Sequence, residues 1–342
     1  MAGISTIRTF MFESALLKGN PRGDPNHRRL SVYLPPDYDE KRDEPYPVVY
    51  MLAGWGGRGL RYLNDEGAFN PSLPERWDRM ITSGEMAPVL IVFPDAVSRL
   101  GASQYVNSLA NGPYMDYLCD ELVPFVDRSF HTHRHRSYRG ILGHSSGGFG
   151  ALVTGMLRAD RFGYVCSSAG DSWYENLYRK PIPMMIDVIQ REGGIQALIG
   201  KFLSHENPMG HVPPQMSETV MNLSMCACFS PNLEVPVLMG DLYFDLETGE
   251  MIPEVWNRFL AWDPIRMVDR QVKSLRTLEW IHLEAGRQDE YGLHLGHRQI
   301  ARRLKRIGVD CVLEEYPGRH GGHHYRFGYR VKRMLDKMYS RK

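Results

Sequence analysis

The sequence predicts an α/β fold built on a largely parallel sheet, and three observations predict it. Short runs rich in β-branched and aromatic residues recur along the chain, each closed by Gly, Pro or Asp. Most of these runs are apolar throughout, the pattern of strands covered on both faces, instead of alternating between apolar and polar. Amphipathic helical patterns lie between several of them, so the order reads strand, helix, strand, helix.

The elements follow in order. "RRLSVYLPP" alternates like a half-buried strand, and "PVVYMLAG", "APVLIVFPDA", "YRGILGHS" and "YVCSSAG" are the continuous apolar runs. "MDYLCDELVPFVDRSF" carries a helical pattern before the third of these. Further on, "LEWIHLEAG" and "DCVLEEYPG" read as strands separated by the helical "LGHRQIARRLKRIG". Residues 171–263 break this rhythm. They lack a buried-strand signature and are rich in Met, Pro and aromatics, including Trp173, Tyr174, Tyr178, Phe229, Tyr243, Phe244, Trp256 and Trp262. This stretch is expected to be a mostly helical insertion, dividing the core into residues 1–170 and 264–342.

Composition narrows the function. With 342 residues, 43% hydrophobic and 24% charged, the chain can bury a large core. A formal charge of +1 supplies no field to attract nucleic acid or an anionic membrane, so a small, near-neutral substrate is expected. The first residues show no secretory pattern and no run is apolar for the length of a bilayer crossing, which points to a cytoplasmic protein. Five scattered cysteines fit reduced thiols, and the Cys226/Cys228 pair lacks the second pair a metal site needs. The basic run from His131 to Arg136 reads as a solvated loop. Monomer and homo-oligomer stay open.

The chemistry is carried by Gly143-His144-Ser145-Ser146-Gly147, a G-x-S-x-G pentapeptide between an apolar strand and a helix-forming stretch. A nucleophile on a sharp turn needs neighbours without Cβ atoms, so that strand and helix approach closely and the hydroxyl stands clear. Ser145 is therefore the candidate nucleophile. Ser146 would offer its backbone N–H to a developing oxyanion at the helix N-terminus.

A serine hydroxyl needs a base and an orienting acid, following in the order Ser, Asp or Glu, His. Asp289 lies in the loop after "LEWIHLEAG", with Glu290 and Glu284 as rivals; Glu284 would fall inside the strand. After "DCVLEEYPG" comes "RHGGHH", where His320 is first and His323 and His324 follow. The three histidines could instead bind zinc, but no acidic or Cys ligand motif accompanies them. No cofactor and no metal are expected.

With these residues in view, the chain resembles the esterase D-type branch of the α/β hydrolases, which includes S-formylglutathione hydrolases, feruloyl esterases, siderophore esterases and mycolyltransferases. The likeness runs through "SVYLPPDYDE", "YPVVYMLAGWGG", "VFPDA", "YVNS", "GHSSGGFGAL", "GRQDEY" and "YPGRH". It implies an α/β-hydrolase fold with a mostly parallel eight-stranded sheet and a small-molecule ester or thioester as substrate. It further implies Ser145 as nucleophile, His320 as general base and acid, Asp289 as orienting carboxylate, and the backbone N–H of Trp55 as second oxyanion donor. Two features depart from the family pattern: Ala53-Gly54 replaces His-Gly after the third strand, and the insertion lengthens the path from Ser145 to Asp289.

The triad pattern suits an acyltransferase equally, fits a serine peptidase less well, and a non-catalytic binding module least. Because the insertion enters beyond a strand end, where open α/β sheets bind ligands, it is expected to cap Ser145 and to contribute Trp173, Tyr174 and Trp256 to substrate binding. The alternative is that these aromatics pack the insertion onto the core or form a dimer contact.

Overall fold

The structure, a computed structural model, describes residues 3–65, 67, 69–204 and 212–340. Ten strands are defined: β1 (Thr6–Glu13), β2 (His27–Leu34), β3 (Val48–Leu52), β4 (Leu90–Phe93), β5 (Asn107–Ser108), β6 (Gly112–Pro113), β7 (Arg139–His144), β8 (Tyr164–Ser168), β9 (Trp280–Gly286) and β10 (Val312–Tyr316). Eight of them form one sheet in the order β1-β2-β4-β3-β7-β8-β9-β10, and β5 and β6 pair separately. β1 with β2 and β2 with β4 are antiparallel; every other neighbour pair of the large sheet is parallel.

The apolar runs are central because both of their faces are covered. In β3, Val48, Tyr50 and Leu52 enter one core layer while Val49 and Met51 enter the other. β4 divides the same way, Leu90 and Val92 against Ile91 and Phe93. The first layer is closed by helices Val123–Ser129, Ser146–Leu157 and Leu293–Arg306; the second by Leu73–Thr82 and Arg326–Tyr339. The expected helix over residues 115–130 forms with a wide π-type turn at Tyr117–Leu122 in its middle. β1 is not among the expected strands, although Phe10 and Phe12 alternate with exposed residues and pack on the first core layer; the rest of this edge strand is exposed. The helix Arg326–Tyr339 likewise lies beyond the elements expected from the pattern.

The 171–263 stretch holds helices Tyr174–Leu177, Ile182–Arg191, Ile195–Leu203, Pro214–Phe229 and Pro253–Ala261. Its aromatics largely face one another. Tyr174 and Tyr178 rings lie 4.6 Å apart, Tyr243 and Phe259 4.6 Å, and Trp256 and Phe259 5.9 Å. The five cysteines are free thiols; Cys226 and Cys228 are buried, and burial pushes the Cys228 thiol up to about 12. In the 131–136 run, His133 stacks on Tyr138 at 3.7 Å and the His131 ring meets the Arg42 carbonyl at 2.9 Å, so the segment is pinned and not merely solvated.

Candidate active site

The turn between β7 and helix Ser146–Leu157 holds Ser145 at φ 58°, ψ −129°. A non-glycine residue there costs about 1–3 kcal/mol, which the surrounding packing must over-determine. Its glycines show how. A Cβ on Gly143 would lie 2.3 Å from the Gly147 carbonyl carbon, and one on Gly147 would lie 2.2 Å from the Leu52 oxygen. Strand and helix therefore touch backbone to backbone, leaving the Ser145 hydroxyl at the C-terminal edge of the sheet.

His320 follows β10 and Asp289 follows β9, and the fold brings both to Ser145. His320 Nε2 lies 3.1 Å from Ser145 Oγ, and His320 Nδ1 lies 2.8 Å from Asp289 Oδ2. The other oxygen of Asp289 accepts the backbone N–H groups of Tyr291 (3.0 Å) and Leu293 (3.3 Å). Burial would raise this carboxyl, but the His320 hydrogen bond, the His320 charge and those amides outweigh it and hold Asp289 below its ordinary value. As a carboxylate it only accepts, so His320 carries its proton on Nδ1 and turns the Nε2 lone pair toward Ser145. Tyr291 sets its ring edge-on against His320 at 4.8 Å.

The rival residues have other partners. Glu290 accepts the His320 backbone N–H at 2.9 Å, fixing the loop instead of the ring. Glu284 is inside β9 and wholly buried; despite burial, Arg330 and Arg326 hold its carboxyl down at about 2. His323 and His144 meet through their Nε2 atoms at 2.9 Å. Among the described residues, His282, Glu284 and Glu314 bring ligand atoms within 4.8 Å of one another. Glu284 is paired with Arg326 and Arg330, and Glu314 with Arg326 and Arg333, so guanidinium groups already stand where a cation would.

Ser146 begins the helix, where its N–H has no partner four residues back. Gly54 packs under the turn: a Cβ there would lie 3.2 Å from the His144 oxygen and 3.4 Å from Ser145 Cβ. The Ala53-Gly54 loop is held by Tyr105 Oη on the Ala53 oxygen (2.8 Å) and Tyr62 Oη on the Leu52 oxygen (3.0 Å). Trp55 anchors it further, its indole N–H donating to the Leu100 carbonyl (3.0 Å) and to Ser224 Oγ (3.2 Å).

A cavity of about 300 Å³ opens over Ser145, with Gly54, Trp55, Ser146 and His320 in its wall. The insertion supplies Asp171, Leu177, Tyr178, Met221 and Met225 to the same wall. Trp173, Tyr174 and Trp256 are not among the residues lining it. Tyr174 and Trp256 are buried within the insertion's aromatic cluster, and Trp173 lines a separate surface depression with Asp263 and Arg266. Aromatic content signals burial but not which helix face meets the cavity, and the helix faces turned Tyr174 and Trp256 inward. Asp171, unexpected from the pattern, accepts from Gln104 Nε2 at 3.0 Å and Ser146 Oγ at 3.4 Å, and burial pushes its carboxyl up to about 6. Its position directly after β8 is the signal that could have marked it.

The chain is similar to known proteins in sequence and in fold. Over 154 residues the chain is 25% identical to an endo-1,4-beta-xylanase/feruloyl esterase from Xylanibacter ruminicola, covering 44% of this chain and 20% of that protein. Over 173 residues it is 28% identical to Esterase Rv1288 of Mycobacterium tuberculosis, covering 50% of this chain and 33% of that protein. The matches thus span a third or less of these relatives. Among solved structures, a ferulic acid esterase superposes with a TM-score of 0.59 at 17% identity, covering 98% of both chains. An S-formylglutathione hydrolase from Staphylococcus aureus gives 0.57 at 17% identity, again over 98% of both. These likenesses establish the α/β-hydrolase fold. The model of the putative esterase family matches residues 25–332, and the chain belongs to that family.

Proposed function

We propose that the protein is a serine hydrolase that cleaves a carboxylic ester or thioester of a small molecule through an acyl-enzyme on Ser145. The observation that carries this reading is the position of His320, whose two ring nitrogens reach Ser145 Oγ at 3.1 Å and Asp289 Oδ2 at 2.8 Å. His320 Nε2 takes the hydroxyl proton as Ser145 Oγ attacks the carbonyl carbon, and the carbonyl π pair moves onto oxygen. The backbone N–H groups of Ser146 and Trp55 hold that oxyanion. Collapse expels the alkoxide or thiolate, which receives the proton from His320. Water, deprotonated by the same ring, then releases the acid and restores Ser145. Asp289 keeps the imidazole in the required tautomer and stabilises its charged form.

The insertion acts in this reading as a cap. Leu177, Tyr178, Met221 and Met225 give the cavity an apolar side, suited to an acyl or aryl group, with Asp171 as a polar feature beside Ser146. The relatives named feruloyl esterase and the S-formylglutathione hydrolase neighbour make aryl esters and thioesters the classes to test first.

The test is labelling with a serine-directed fluorophosphonate, together with turnover of a chromogenic ester panel graded in acyl length and including aryl and thioester members. Wild type should label stoichiometrically and turn over at least one ester, whereas Ser145→Ala should do neither while keeping its melting temperature. Labelling retained by Ser145→Ala would place the nucleophile elsewhere.

A further inference from the structure

We infer that His144 and His323 form a neutral imidazole clamp that positions the nucleophile turn against the loop bearing His320; the inference rests on the acyl-enzyme reading above. The two rings line the cavity and belong to a closed circuit of side chains that runs back from it. Arg330 Nη2 lies 3.3 Å from His323 Nδ1, His323 Nε2 lies 2.9 Å from His144 Nε2, and His144 Nδ1 lies 3.1 Å from Ser168 Oγ. Ser168 Oγ lies 3.3 Å from Glu284 Oε1, and that oxygen also accepts from Arg330 Nε, closing the ring.

The proton positions follow from the ends of the circuit. A guanidinium has no acceptor and a carboxylate has no donor. Facing Arg330, His323 Nδ1 must accept, so the His323 proton is on Nε2 and points at His144 Nε2. His144 then accepts there and carries its own proton on Nδ1, donated to Ser168 Oγ. The Ser168 hydroxyl proton is left for Glu284. Starting from Glu284 and working backwards gives the same assignment. One arrangement satisfies all five groups, and in it both imidazoles are neutral.

A second proton is disfavoured on either ring, although the His320 backbone carbonyl beside His144 favours that ring's charged form. On His323 it would face Arg330, and on His144 it would face the His323 N–H. Burial, the neighbouring histidines and Arg330 accordingly push His144 well below the usual histidine value, and burial with Arg330 pushes His323 down to about 3. The groups facing this pair are His320 and His324 from the β10 loop, Arg330 from helix Arg326–Tyr339 and Glu284 from β9.

The circuit joins what the reaction needs joined. His144 ends β7 and immediately precedes Ser145, while His323 follows His320 in the same loop. Asp289 orients the His320 ring and Glu290 holds its backbone, but neither reaches the nucleophile turn; the His144–His323 bond ties the loop to that turn directly. The His144 and His320 rings are 4.6 Å apart, so a neutral clamp also keeps positive charge away from the base.

Three variants of the full chain test this. His323→Asn retains an acceptor toward Arg330 but is too short to reach His144, leaving His144 Nε2 free to take a proton beside His320. Its kcat should fall about 100-fold with KM within threefold, since a misplacement of about 1 Å costs roughly that much. The acid limb of its kcat/KM profile should become steeper, with two protons in place of one. His323→Gln carries a donor at the reach of Nε2 and should restore most of kcat and the one-proton limb. His144→Asn keeps the bond to Ser168 and cuts the same link from the other side. It should show a similar kcat loss with a one-proton limb, because the ring that would gain the second proton is gone.

The inference is overturned if soluble His323→Asn or His144→Asn keeps kcat within threefold of wild type. It is also overturned if His323→Asn loses kcat with an unchanged one-proton limb and a lowered melting temperature, the result of a structural role alone. Absence of fluorophosphonate labelling in wild type would instead remove the acyl-enzyme reading, a separate outcome.

Discussion

Replacing Asp289 with Asn should abolish the proposed ester hydrolysis without unfolding the protein. The side chain is fully buried, and its two oxygens have distinct duties. One accepts the backbone N–H groups of Tyr291 and Leu293, and the other accepts the His320 Nδ1 proton. In the amide, the oxygen must stay with the two backbone donors, because turning it would set an NH₂ against them. The NH₂ then faces His320 and compels Nδ1 to accept, which moves the ring proton to Nε2, directly opposite Ser145 Oγ. A protonated Nε2 cannot take the serine proton. Triad replacements that trap the wrong tautomer cost about 10⁴ in kcat, equivalent to about 5 kcal/mol of transition-state stabilisation. Both backbone hydrogen bonds survive, so the melting temperature should move by only a few degrees. The assay is the pre-steady-state acylation rate on a p-nitrophenyl ester alongside thermal unfolding. An Asp289→Asn rate within tenfold of wild type would refute the reasoning, as would a rate lost together with the fold.

Two further predictions concern the insertion and acid stability. Met225→Ala enlarges the cavity wall and should shift preference toward bulkier esters, whereas Trp256→Ala, which empties a site packed against Tyr243 and Phe259, should cost about 3–5 kcal/mol of stability and leave preference unchanged. The reverse pattern along the ester panel would return Trp256 to the cavity. Glu284 has a native carboxyl at about 2 against an ordinary 4.5, so its contribution to stability is present above about 4.5 and is lost as pH falls toward about 2. Glu284→Gln should lower stability at neutral pH and flatten the acid limb of the urea midpoint against pH; an unchanged limb would show that other groups set it.

Several features of this protein are written in local sequence. The strands β2, β3, β4, β7, β8, β9 and β10 lie where apolar or alternating runs end at Gly, Pro or Asp; burial on both faces demands that composition in β3, β4, β7, β8 and β9, whereas β10 is an edge strand with Leu313 exposed. Ser145 is legible because a turn at φ 58° with backbone contact on both sides needs glycine at 143 and 147, a requirement visible in a pentapeptide. Asp289 and His320 are legible because each follows a strand end, and parallel strands deliver their C-terminal loops to one edge. What only the tertiary structure decided has no local signature. Trp173, Tyr174 and Trp256 are as aromatic as any cavity wall, yet the packing of the insertion's helices turned Tyr174 and Trp256 into its own core and gave the cavity Tyr178, Met221 and Met225 instead. The circuit of His144, Ser168, Glu284, His323 and Arg330 draws on three strands, a loop and a helix. Hydrophobic periodicity records which face of an element is buried but not which partner it meets, so the inferred neutrality of His144 and His323 beside His320 depends on those five segments packing together.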